Sequence, residues 1–118
     1  MLVLMLFDKA ISSLETALPA FEFKDPKEKN ERIHNNLRRA IDIVRFLNNS
    51  LNLQEGGELA GTLRNLYLYF EDRLVNSSNR KNREGVDEVI GHMRPIRDAW
   101  AEMLDKQGRD VKEELQVA

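Results

Sequence analysis

The chain has 118 residues, 42% hydrophobic and 32% charged, and its 18 basic against 20 acidic residues leave a net charge of −2. That is the make-up of one soluble globular domain large enough for a single core, with no surplus of positive charge for a polyanion. With no cysteine, disulfides, thiolate nucleophiles and cysteine-ligated zinc are excluded, as suits a reducing cytosol.

The chain opens on the apolar run MLVLMLF. It is far shorter than the roughly 20 apolar residues a membrane span needs. Asp8 and Lys9 follow at once with no small-residue cleavage site, so neither a secretory signal nor membrane insertion is expected. Phe7, Ile11, Leu14 and Leu18 recur at helical spacing, and Pro19 ends the segment. In KDPKE, Asp25 caps a second helix, Pro26 suits its first position and Glu28 its first turn. Its stripe is Ile33, Leu37, Ala40, Ile41, Val44, Leu47 and Leu51. Gly56-Gly57 reads as a turn. A third stripe follows with Leu59, Leu63, Leu66, Tyr67, Phe70 and Leu74. Asn82 caps a fourth segment carrying Val86, Val89, Ile90, Met93, Trp100, Met103 and Leu104, kinked at Pro95 and stopped by Gly108.

Four helices near 2–18, 26–51, 58–78 and 83–106 with short connections predict an all-α, antiparallel up-and-down four-helix bundle with Trp100 buried. The bundle is expected over residues 1–107, followed by a charged, mobile tail at 108–118.

Several large apolar residues miss these stripes. On the first helix Leu2, Met5 and Leu6 are spaced i, i+3, i+4 and form a second face. On the second, Phe46 points away from the stripe with Ile43 beside it, and on the third Leu68 and Val75 lie one heptad apart on the back. Single exposed apolar residues need no explanation. A whole second face implies a partner or a covering segment. The expected partner-binding residues are therefore Leu2, Met5, Leu6, Ile43, Phe46, Leu68 and Val75.

Enzyme signatures are absent: there is no glycine-rich phosphate loop and no nucleophile elbow. Glu31-x-x-His34 has the spacing used by di-iron bundles, and Glu88 with His92 is a second pair. Glu31 and Glu88 fall opposite the apolar stripes, however, so surface ion pairing is expected rather than metal binding, with no catalytic residues and no cofactor. Arg32, Arg38, Arg39 and Arg45 alternate with acidic residues, which reads as an ion-paired solvated face rather than a nucleic-acid site.

The segments MLFDKAISSLETAL, RAIDIVRFLNNSLN, LRNLYLYFEDRLVNSSNRKN and VDEVIGHMRPIRDAW, in that order, resemble the flagellar secretion chaperones of the FliS type. The likeness runs from residue 1 to about residue 104 and rests on the ML-aromatic-Asp opening, the LYLYFEDRL core and the RDAW ending. It implies a cytoplasmic, non-catalytic, ATP-independent export chaperone. Such proteins bind the disordered C-terminal tail of flagellin, prevent its premature polymerisation and aid delivery to the type III export gate. The resemblance further implies residues ahead of the ML-aromatic-Asp stretch that fold over the client site when it is empty, and a Gly where this chain has Lys9. The alternative is a generic helical interaction or dimerisation module without a flagellin client, a monomer or a domain-swapped dimer.

Overall fold

Two of the helices start where a side chain satisfies a free amide. The Asp25 carboxylate accepts the Lys27 N–H at 3.1 Å, with Pro26 at the first helical position. The Asn82 side-chain oxygen accepts the Glu84 N–H at 2.8 Å. In the computed structural model, which describes residues 2–117 apart from the side chains of 55 and 107–117, these caps open two of four helices. The helices are α1 (Leu2–Ala17), α2 (Pro26–Asn49), α3 (Leu53–Arg80) and α4 (Glu84–Val117). Pro19 ends α1 as expected, and the chain leaves through a 3₁₀ turn, Leu18–Glu22, in which that proline occupies the first turn. No strand occurs among the described residues.

α1 packs on α2 and α4, and α3 packs on α2 and α4. Successive helices run antiparallel, so the architecture is the expected four-helix bundle. Fully buried Phe7, Leu14, Ile33, Leu37, Val44, Phe70, Leu74, Val86, Val89 and Met93 form the core. The Phe7 and Tyr67 rings meet across it with centroids 6.4 Å apart. α3 and α4 approach tightly near their connection. A Cβ built on Gly85 would lie 2.3 Å from Ser77 Oγ and 2.6 Å from the Arg73 carbonyl oxygen. α3 ends with Lys81 in the left-handed region at φ 55°, which lets the Asn82 N–H reach the Ser77 carbonyl at 3.2 Å.

Several expectations are corrected. Helical structure begins at Leu53, ahead of the glycine pair, and the break falls within it at Gly57, where φ 56° and ψ −135° suit only glycine. Gly108 does not stop α4. Glycine weakens a helix by about 1 kcal/mol without forbidding it, and the good helix formers beyond it carry the backbone on to Val117. The side chains of the charged stretch 108–118 lie outside the described residues. Pro95 sits within α4 without ending it. Trp100 is only half-buried, against the edge of the core. Leu59 and Met103, both expected in stripes, are 69% and 42% exposed. Periodicity set their phase correctly, but no neighbouring helix covers them.

Candidate functional site

The seams between helices differ in how they are closed. Between α1 and α4, Arg97 donates to both Asp8 oxygens at 2.6 and 3.4 Å, and Arg94 to Glu15 at 3.0 Å. The carboxylate of Asp8 raises the pKa of the Arg97 guanidinium above its ordinary value. Between α2 and α3, Arg45 donates to Glu71 at 2.7 Å. Between α3 and α4, Glu88 accepts from Arg73 at 2.8 Å and from the Tyr69 hydroxyl. The Tyr69 bond, then that from Arg73, pulls the Glu88 carboxyl below its usual range, and the same bond pushes the Tyr69 phenol up. Among the described residues no ion pair or side-chain hydrogen bond crosses from α1 to α2.

That uncrossed seam is open. A groove of about 700 Å³ runs between α1 and α2, with Leu6 and Ile43 as its apolar walls. Lys9, Ser12, Ser13, Thr16, Asn36, Arg39 and Asp42 complete it. Thr16, Asn36 and Arg39 also line a polar hollow of about 450 Å³ that prolongs the groove toward Glu28, Glu31 and Arg32. The opposite direction is apolar. Leu2 lies one turn before Leu6, and Phe46 one turn beyond Ile43. Leu2, Phe46 and Met5 are 60%, 52% and 62% exposed respectively. Leu6 and Ile43 are half-buried and packed against the core.

The seven expected residues therefore divide between two places. Leu6 and Ile43 line the α1/α2 groove, and Leu2, Met5 and Phe46 are exposed on the same two helices. Val75 lines a separate groove of about 250 Å³ between α2 and α3, with His34, Arg38, Ile41, Asp42, Arg45, Ser78 and Asn79. Leu68, exposed and one heptad before Val75, continues that face. Asp42 lines both grooves, so the outer face of α2 is the ridge between them.

The polar walls escaped sequence reasoning because Lys, Ser, Thr and Asn residues on a helix carry no signal of their own, whether exposed like Lys9 or buried like Ser13 and Asn36. Leu53 and Tyr69 are further exposed apolar residues outside the expected set.

The remaining chemistry is dispersed. Glu31 lines the α1/α2 side and His34 the α2/α3 groove, so this Glu-x-x-His pair straddles the ridge instead of converging. Glu88 is held by Arg73 and Tyr69, as expected for an ion-pairing role. Among the described residues no group of three or more His, Asp or Glu gathers to hold a metal. No described helix is long and apolar enough to cross a membrane. The ion-paired face expected on α2 is corrected: Arg45 pairs with Glu71 of α3, while Arg32, Arg38 and Arg39 make no ion pair among the described residues. All three are exposed and line the grooves.

The sequence of this bundle has relatives that it matches over most of their length. Over 109 residues the chain is 31% identical to the flagellar secretion chaperone FliS of Bacillus subtilis, covering 92% of this chain and 77% of that one. Against the protein of the same name from Salmonella typhimurium it is 35% identical over 106 residues, covering 89% and 76%. The Vibrio cholerae protein is 29% identical over 99 residues, covering 84% and 70%. The family model described as flagellar protein FliS matches residues 1–107, which takes in all of α1 to α3 and α4 as far as residue 107, and the chain belongs to that family.

Proposed function

We propose that this protein is a flagellar export chaperone. In the cytosol it binds the disordered C-terminal segment of flagellin, keeps it from polymerising and presents it to a component of the export gate. The observation that carries this reading is the open α1/α2 seam, walled by Leu6 and Ile43 and extended by the exposed Leu2, Met5 and Phe46. Such a seam accepts the apolar face of an incoming amphipathic helix. The second groove, at Val75, gives a long client segment somewhere to continue, and a disordered segment needs long apolar contact to offset its ordering cost. The names of the relatives support the flagellar export role. The activity is binding rather than catalysis. The working unit is the bundle of residues 1–107, with 108–118 as an appendage.

Size-exclusion chromatography with light scattering, with and without a flagellin C-terminal peptide, tests this. A one-to-one complex is expected. A chain that forms no complex with the peptide overturns the flagellin reading, and one that self-associates whether or not the peptide is present is a dimerisation module instead.

A further inference from the structure

α2 is the basic element of an acidic chain. It carries Lys27, Lys29, Arg32, Arg38, Arg39 and Arg45 against Glu28, Glu31 and Asp42, a net of plus three where the whole chain is −2. The excess is not spread evenly. At the polar end of the α1/α2 hollow Arg32 shares the lining with two acids, Glu28 and Glu31. Around the apolar parts of both grooves basic residues outnumber acidic ones. Lys9 and Arg39 border the α1/α2 groove, Arg38 and Arg45 the α2/α3 groove, and Asp42 is the acid that lines both. Arg45 is satisfied by Glu71, whereas Lys9, Arg38 and Arg39 are exposed and have no ion pair among the described residues. Of the acids on the neighbouring helices, Asp8 and Glu15 are engaged by α4 and Glu71 by Arg45, while Asp72 of α3 makes no ion pair among the described residues.

We infer that the occupant of these grooves is an acidic amphipathic helical segment, whose apolar face enters the α1/α2 groove at Leu6 and Ile43 with carboxylates toward Lys9 and Arg39, and whose continuation across the α2 ridge reaches Val75 with carboxylates toward Arg38. This rests on the helix-in-groove reading proposed above but not on the client being flagellin. The apolar contact supplies affinity. The charges select the partner, set its orientation and speed the encounter. A nucleic acid fits less well, because the cations stand beside apolar walls and around a shared carboxylate rather than along a continuous basic track.

Fluorescence anisotropy on the full chain tests this with two labelled amphipathic peptides. They share the same leucine anchors, and one is flanked by Glu and the other by Lys. The Glu peptide should bind about tenfold or more tightly at about 50 mM salt, and the gap should shrink severalfold at about 500 mM, where screening is strong. The gap should also collapse in K9Q/R38Q/R39Q, whose thermal melt should match the parent because these side chains support no other group. The charge-keeping R38K/R39K should retain it, which guards against a folding defect in the neutral variant. Equal binding of the two peptides, binding of neither, or a preference that survives K9Q/R38Q/R39Q overturns the inference. So does displacement of the Glu peptide by a single-stranded DNA oligonucleotide. If a flagellin tail fails to bind while the Glu peptide keeps its advantage, the client assignment falls and this inference stands. If the tail binds while the Glu peptide has no advantage, this inference falls and the client assignment stands.

Discussion

Replacing Leu2, Met5 and Phe46 together with serine removes apolar surface from the α1/α2 side while leaving the core intact. A fully buried side chain of this kind contributes roughly 1.5–3 kcal/mol. These three are 60%, 62% and 52% exposed, so a partner can newly cover only about half of each. The ceiling is then roughly 0.8–1.8 kcal/mol apiece, or about 2.5–5 kcal/mol for the set. Buried area converts only partly into affinity. If half is realised, the loss is about 1.2–2.5 kcal/mol, or about ten- to sixtyfold in Kd. Leu6 is left untouched because it packs against the core, and its loss would confound binding with stability. Calorimetric titration with a flagellin C-terminal peptide, beside thermal melts of both proteins, reads the two effects separately. The melt should be unchanged or slightly raised. A triple variant that binds the peptide as tightly as the parent refutes the placement of the site on the α1/α2 side.

Three further outcomes concern what holds the bundle together. Gly85→Ala should lower the urea midpoint: overpacking against the Arg73 carbonyl and Ser77 costs about 1–3 kcal/mol, more than the roughly 1 kcal/mol alanine gains over glycine in a helix. A variant as stable as the parent would mean α3 and α4 can separate freely there. Pro95→Ala should raise stability by roughly 1–3 kcal/mol and move the midpoint up with it, since it restores an amide donor inside α4, and no gain would show that the proline costs the helix nothing. Tyr69→Phe should move the Glu88 carboxyl back up toward its usual range in a carbon-detected NMR titration. Because the folded-state value of Glu88 is depressed, its contribution is fully present above the ordinary carboxylate range and is lost as pH falls through the folded value. The parent's stability advantage over the variant should therefore shrink on acidification. It should also shrink as pH rises through the elevated Tyr69 value, and an unchanged Glu88 titration would sink the coupling.

Much of this protein is legible along the chain, because helix starts and stops are local events. Asp25 and Asn82 cap the amides within two residues of themselves, and Pro19 ends α1 by ring geometry alone. The core phase of α1 and α2 also follows from spacing, since one side of an amphipathic helix must leave water whatever it packs on. The back-face residues could be named in the same way, but not their grouping. Val75 lines a different groove from Leu6 and Ile43, which only the order of packing around α2 decides. Whether a stripe is covered is equally non-local. Leu59 keeps its period yet stands in solvent because no neighbour covers it there. The open seam is the clearest case. Asp8 meets Arg97 across 89 residues of chain, and Arg45 meets Glu71 across 26. Those pairings latch one side of α1 and one side of α2, so the α1/α2 seam stays unlatched through contacts that the surrounding sequence does not encode.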